Sequence, residues 1–122
     1  MTKKPVISIV DDDESIRIAT ASLVRSLGYS ARSFASAEAF LNSDAAKRSC
    51  CVISDVRMPN MSGLEMVRRL RALPCMLPVI FVTGRDPDEV HHTVLLLGNA
   101  TTLSKPLVGD RLSAALDTVL GA

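Results

Sequence analysis

The chain of 122 residues contains no tryptophan, one tyrosine and three phenylalanines, and its 14 basic and 13 acidic side chains nearly cancel to a formal net charge of +1. That balance leaves no electrostatic footprint of the kind that attracts nucleic acid or an anionic membrane surface. No apolar run reaches the roughly 18 residues that a membrane-spanning helix requires, so no membrane partner is expected. The start, "MTKKPVISIVDDD", is basic, but its apolar stretch stops at Asp11 without a small-residue cleavage site and does not read as a signal peptide. A cytoplasmic protein is the expectation. Cysteine is also scarce: Cys50, Cys51 and Cys75 are odd in number and lack a C-x-x-C metal spacing. Cys50 and Cys51 open an apolar stretch, where cysteine behaves as a small hydrophobe.

What the chain does have is alternation. Its length suits one domain, residues 1–122, with a real core. Residues 5–10 (PVISIV), 29–34 (YSARSF), 50–54 (CCVIS), 77–84 (LPVIFVTG) and 100–104 (ATTLS) read as strands. Between them the period changes to that of helices. Ile16, Ala19, Thr20, Leu23, Val24 and Leu27 share one face until Gly28, and Ser36 caps a short helix carrying Ala39, Phe40 and Leu41. Leu64, Val67, Leu70 and Leu73 face the core from the next helix, with Arg68, Arg69 and Arg71 on its solvated side. A fourth helix runs from about Pro87 to Leu97. Leu112, Ala115, Leu116, Val119 and Leu120 form the buried stripe of a last one. Five strands alternating with five helices predict a parallel sheet covered on both faces. In such sheets the ligand site lies outside the carboxyl ends of the strands.

The residues at those ends are therefore the candidates. Strand one ends in Asp11 and Asp12, strand three in Asp55, strand four in Thr83 and strand five in Lys105. Clustered carboxylates are hard ligands suited to Mg²⁺, and a cation offsets their mutual repulsion. Aspartate is also a covalent nucleophile towards phosphoryl groups. A hydroxyl and an ammonium beside it stabilise the charge that spreads over the phosphoryl oxygens in transfer. The set reads as an acceptor of phosphate. Asp13 stands apart, as a cap at the edge of the first helix.

Through "IVDDDES", "ISDVRMPNMSG", "VIFVTG" and "LSKP", the chain resembles the receiver domain of two-component response regulators over essentially its whole length. "DVRMPNMSG" and "VTG" look most like the FixJ-type branch. The resemblance implies an α/β flavodoxin-like fold, a doubly wound parallel sheet in the order 2-1-3-4-5. It implies Asp55 as phosphoacceptor and a Mg²⁺ cofactor held by Asp12 directly, by Asp11 through water, by Asp55 and by the main-chain carbonyl of Arg57. Thr83 and Lys105 would bind phosphoryl oxygens, and Lys105–Pro106 would be a cis peptide. The implied phosphate donor is a histidine kinase or phosphotransfer protein. The chain would catalyse only its own phosphorylation and dephosphorylation, and so is not an enzyme that turns over a metabolite. Its output would pass through the helix before strand five, strand five and the last helix, or through the first helix and strand five. The receiver of that output would be a second copy or a downstream protein, with no direct nucleic-acid binding by this chain.

The sequence departs from the family pattern at several places. Thr102 stands where the family usually carries Phe or Tyr, three residues before the lysine, so the aromatic part of the usual switch is absent or replaced. Asn99 and Leu96 are also unusual, and Val94 to Leu97 cannot all face one core from a helix. An alternative is thus a receiver-like binding module that signals without phosphorylation. An aspartate-based phosphatase would need a second acid two residues after the nucleophile, where this chain has Arg57. Arg57 and Arg85 flank the mouth of the expected site and would tune the lifetime of an acyl phosphate.

Overall fold

Alternation within each strand places apolar residues on both faces of the sheet, and the computed structural model shows two separate cores. It describes residues 4–73, 75–84 and 87–120. The strands β1 (Val6–Val10), β2 (Ser30–Phe34), β3 (Cys51–Asp55), β4 (Val79–Thr83) and β5 (Ala100–Ser104) form one sheet in the order β2-β1-β3-β4-β5. All of its pairings are parallel. This is the flavodoxin-like order that the resemblance implied.

The helices are α1 (Glu14–Ser26), α2 (Ala37–Leu41), α3 (Ala45–Arg48), α4 (Gly63–Ala72), α5 (His91–Leu97) and α6 (Gly109–Leu120). Successive strand residues point to opposite faces. Ile7, Ile9, Ile53, Ile80 and Val82 accordingly pack with Ala21 and Val24 of α1 and Leu112 and Leu116 of α6. Val10, Val52, Val79 and Phe81 pack on the other face with Phe40, Val67, Leu70 and Val94. Cys51 is fully buried, and burial pushes its thiol up to about 12, which makes it the inert hydrophobe expected. Cys50 lies just before β3, and its amide donates to Val6 O at 2.8 Å.

Four expectations need correction, the last of them among the arginines of α4. The second crossover holds two short helices, α2 and α3, because the Ser43 hydroxyl donates to Phe40 O and accepts from Ala45 N, turning the chain between them. The helix expected from Pro87 divides into a 3-10 turn, Pro87–Glu89, and α5. Leu73 is exposed, because α4 ends at Ala72 and Leu73 has extended backbone geometry. Of the four consecutive apolar residues in α5, Val94 is buried while Leu95 and Leu96 face outward.

The arginines of α4 also divide. Arg68 and Arg69 lie on the solvated face with Glu65. Arg71 does not: it is half-buried, and its guanidinium donates to the carbonyls of Leu97 at 3.0 Å, Gly98 at 2.9 Å and Cys75 at 3.2 Å. A cation thus closes the carbonyl end of α5, where the helix dipole favours positive charge. Gly98 at φ 72° and Asn99 at φ 51° make the turn into β5, and Asn99 Nδ2 donates to Met76 O at 2.7 Å. Arg71→Ala is expected to lower the unfolding free energy by about 1–2 kcal/mol, read from the urea midpoint, because partly buried carbonyls lose a charged donor.

Candidate functional site

The connection after β1 leads outward to β2, and the connection after β3 leads the opposite way to β4, so a crevice opens outside the carboxyl ends of β1 and β3. Ladder bonds carried past the strand ends fix what stands there. Asp11 N donates to Phe34 O at 3.1 Å, Val56 N to Val82 O at 3.2 Å, and Lys105 N to Thr83 O at 2.8 Å. The cis peptide expected at Lys105–Pro106 is present.

These constraints bring together residues far apart in the chain. Asp11, Asp12 and Asp55 each offer a carboxylate oxygen, and the three atoms lie within 4.8 Å of one another. Lys105 Nζ stands 3.1 Å from Asp55 Oδ2 and 3.9 Å from Asp11 Oδ2. Asp11 and Thr83 are buried, Asp55 is half-buried and Asp12 is exposed, so the cluster opens to solvent on one side. At this separation the ionised carboxylates repel one another. One ammonium cannot cancel three carboxylates. Hard oxygen donors with net negative charge fit a small divalent cation such as Mg²⁺.

The carboxyl of Asp11 is raised above its ordinary value, first by burial and then by the charge of Asp55. The Asp13 amide, which donates to Asp11 Oδ1 at 2.9 Å, works against this, as does Lys105. Asp13 itself caps α1, its side chain accepting from Ile16 N at 3.2 Å, as expected. Arg57 follows in the loop after β3, where its amide donates to Asp55 Oδ1 at 3.3 Å. Its guanidinium pairs with Glu89 at 3.9 Å. Arg85 lies outside the described residues.

Three supporting residues were not singled out from the sequence. Gly63 opens α4 directly under the site, and a Cβ there would collide with the Asp55 main-chain oxygen and stand 2.7 Å from Ser54 Oγ. Its amide donates to Val56 O at 2.9 Å, which closes the loop after β3. Arg17 reaches back from α1 to donate to Asp11 O at 2.8 Å. Ser54, fully buried, donates to the Asp55 carbonyl at 2.9 Å. In the sequence Gly63 is one more loop glycine, because the backbone it must admit belongs to β3.

The raised carboxyl of Asp11 has a definite sign in the stability of the metal-free protein. The folded state holds this proton more tightly than the unfolded chain, so stability is lost as pH rises from the ordinary value of 3.8 through the raised one. In a chelating buffer near neutral pH, Asp11→Asn is expected to raise the urea midpoint. The gain should shrink as pH falls towards 3.8, where Asp11 is protonated in the wild type.

Comparison with known proteins bears on the family of the chain. The sequence model described as the response regulator receiver domain matches residues 7–117. The response regulator protein TmoT of Ectopseudomonas mendocina is 40% identical over 119 residues, covering 97% of this chain and 54% of the relative. The transcriptional regulatory protein FixJ of Bradyrhizobium diazoefficiens is 33% identical over 120 residues, covering 98% and 58% respectively. The chain therefore spans about half the length of these curated relatives. Among solved structures, a response regulator receiver protein from Burkholderia phymatum superimposes with a TM-score of 0.82 at 38% identity, covering 97% of this chain and 96% of that one. Chemotaxis protein CheY4 of Vibrio cholerae gives a TM-score of 0.87 at 28% identity, with 96% and 99% covered. With its five-stranded order, its strand-end acids and its lysine all in place, the chain belongs to the response regulator receiver domain family, in the FixJ-type branch.

Proposed function

We propose that this chain, as a single cytoplasmic receiver domain over residues 1–122, accepts a phosphoryl group on Asp55. The observation that carries the reading is Lys105 Nζ at 3.1 Å from Asp55 Oδ2 inside a cluster of three carboxylates. A carboxylate oxygen of Asp55 attacks phosphorus while the bond from phosphorus to the donor breaks, and the electron pair leaves with the donor. For a phosphohistidine of a kinase or phosphotransfer protein, the leaving group is the imidazole nitrogen. Lys105 and the Thr83 hydroxyl receive the charge that builds on the phosphoryl oxygens. Asp11, Asp12, Asp55 and the main-chain carbonyl of Arg57 would hold Mg²⁺. When bound, that ion neutralises the carboxylates and the incoming phosphate.

Two surfaces suit the traffic of such a domain. A groove of about 480 Å³ beside Lys105 is walled by Ile16, Ala19 and Leu23 of α1 and by Pro106 and Leu107, on the side where α1 meets the end of β5. Leu95 and Leu96 of α5 are exposed, and the surface of α5, β5 and α6 is where a second copy or a downstream protein would dock. Thr102 favours a second reading, a receiver-like module that signals without phosphorylation. It is half-buried in β5 and paired in register with Phe81, where the family usually carries an aromatic ring.

Incubation with Mg²⁺ and acetyl phosphate is expected to add one phosphoryl group by intact mass, and Asp55→Asn is expected to abolish the adduct. An unlabelled wild-type chain beside a labelled control receiver favours the second reading. Arg57 stands at the mouth of the site, and its guanidinium restrains a phosphoryl group against water. Arg57→Ala is expected to shorten the adduct's lifetime by about threefold, the worth of a partly exposed ion pair, as followed by loss of the mass adduct.

A further inference from the structure

Helix α5 is held unequally at its two ends. Its carbonyl end is fastened by Arg71, which donates to Leu97 O and Gly98 O and also to Cys75 O in the loop beyond α4. Its amide end is not closed by a side chain of its cap residue. The N-cap residue is Val90, which offers no side-chain hydrogen bond, and the 3-10 turn Pro87–Glu89 precedes it. Glu89 in that turn pairs with Arg57 at 3.9 Å, and the two side chains are 51% and 63% exposed, which places the contact among weak ion pairs. The amide of Arg57 donates to Asp55 Oδ1 at 3.3 Å. One residue therefore touches the Asp55 carboxylate with its main chain and the approach to α5 with its side chain.

We propose that the Arg57–Glu89 pair is the contact through which the state of Asp55 reaches α5. Once Asp55 carries a phosphoryl group, the Arg57 guanidinium moves to the phosphoryl oxygens, Glu89 loses its partner, and the uncapped end of α5 loosens. The inference rests on Asp55 as the phosphoacceptor. Its physical basis is competition for one guanidinium. A phosphoryl group brings more negative charge and three acceptor oxygens, and an arginine fork matches them better than it matches a single exposed carboxylate. The existing pair is weak enough to be exchanged. Arg71 keeps the carbonyl end of α5 in place, so the loosening starts at the amide end and changes the surface that α5 presents. Such a route needs no aromatic ring at Thr102.

Hydrogen exchange of residues 87–97, read alongside intact mass, tests the proposal on the full chain with Mg²⁺ and acetyl phosphate. In the wild type, exchange over this segment is expected to rise about two- to threefold once the adduct is present, the scale of losing one exposed pair. Glu89→Gln lies outside the phosphate site and removes the pair. It is expected to show the faster exchange before phosphorylation and no further rise after it. Retention of the wild-type increment by Glu89→Gln would overturn the proposal. So would unphosphorylated Glu89→Gln exchanging as slowly as the wild type. Absence of the mass adduct from the wild type would instead overturn the phosphoacceptor reading, and the inference with it, whatever the exchange shows.

Discussion

Three carboxylate oxygens within 4.8 Å and one ammonium 3.1 Å from Asp55 are held at short range against their own repulsion, and the fold around them supplies the restraint. Asp11 and Lys105 are fixed by amides that extend the sheet ladder onto Phe34 and Thr83, and the Val56 amide does the same just past Asp55. Arg17 holds the Asp11 carbonyl, Ser54 holds the Asp55 carbonyl, and Gly63 lets α4 start against the Asp55 backbone. Each of these contacts limits how far the acids can move apart. On the proposed function, a site that concentrates like charge on rigid strand ends would take a cation and a phosphoryl group without large rearrangement.

The sheet and helix α5 are buried to different degrees. The sheet is packed on both faces, with Phe81 and Val52 on one side and Ile53 and Ile80 on the other. Helix α5, by contrast, is short and buries Val94 while leaving Leu95 and Leu96 exposed. Arg71 and Asn99 tie its carbonyl end and the turn into β5 to the segment after α4. Packing and hydrogen bonding therefore hold the strand-end residues firmly and leave much of the α5 surface exposed.

Much of this was legible in the sequence because it depends on local pattern. All five strands, the start of α1 at the Asp13 cap, the Ser36 cap and the core-facing residues of α6 follow from side-chain period and capping chemistry. The strand-end positions of Asp11, Asp55, Thr83 and Lys105 follow once a parallel sheet is inferred. The errors lay where local pattern is silent. Leu73 fits the apolar stripe of α4 yet falls beyond the last helical residue, and Arg71 shares a polar face with Arg68 yet is drawn inward by unsatisfied carbonyls of another helix. The helix expected from Pro87 gives way to a 3-10 turn, and the second crossover breaks into two helices around Ser43.

By itself, then, the sequence determined the order of elements, the two-sided burial of the strands and the identity of the charged groups at their ends, because side-chain period and residue chemistry are properties of neighbours along the chain. Only the tertiary structure decided that Lys105 lies between Asp55 and Asp11 and nearer to Asp55, that Gly63 must lack a side chain, that Arg71 closes α5 and that Arg57 faces Glu89. Those contacts join residues brought close by the winding of the sheet and the packing of helices on it. Their energies depend on distances that no local pattern encodes.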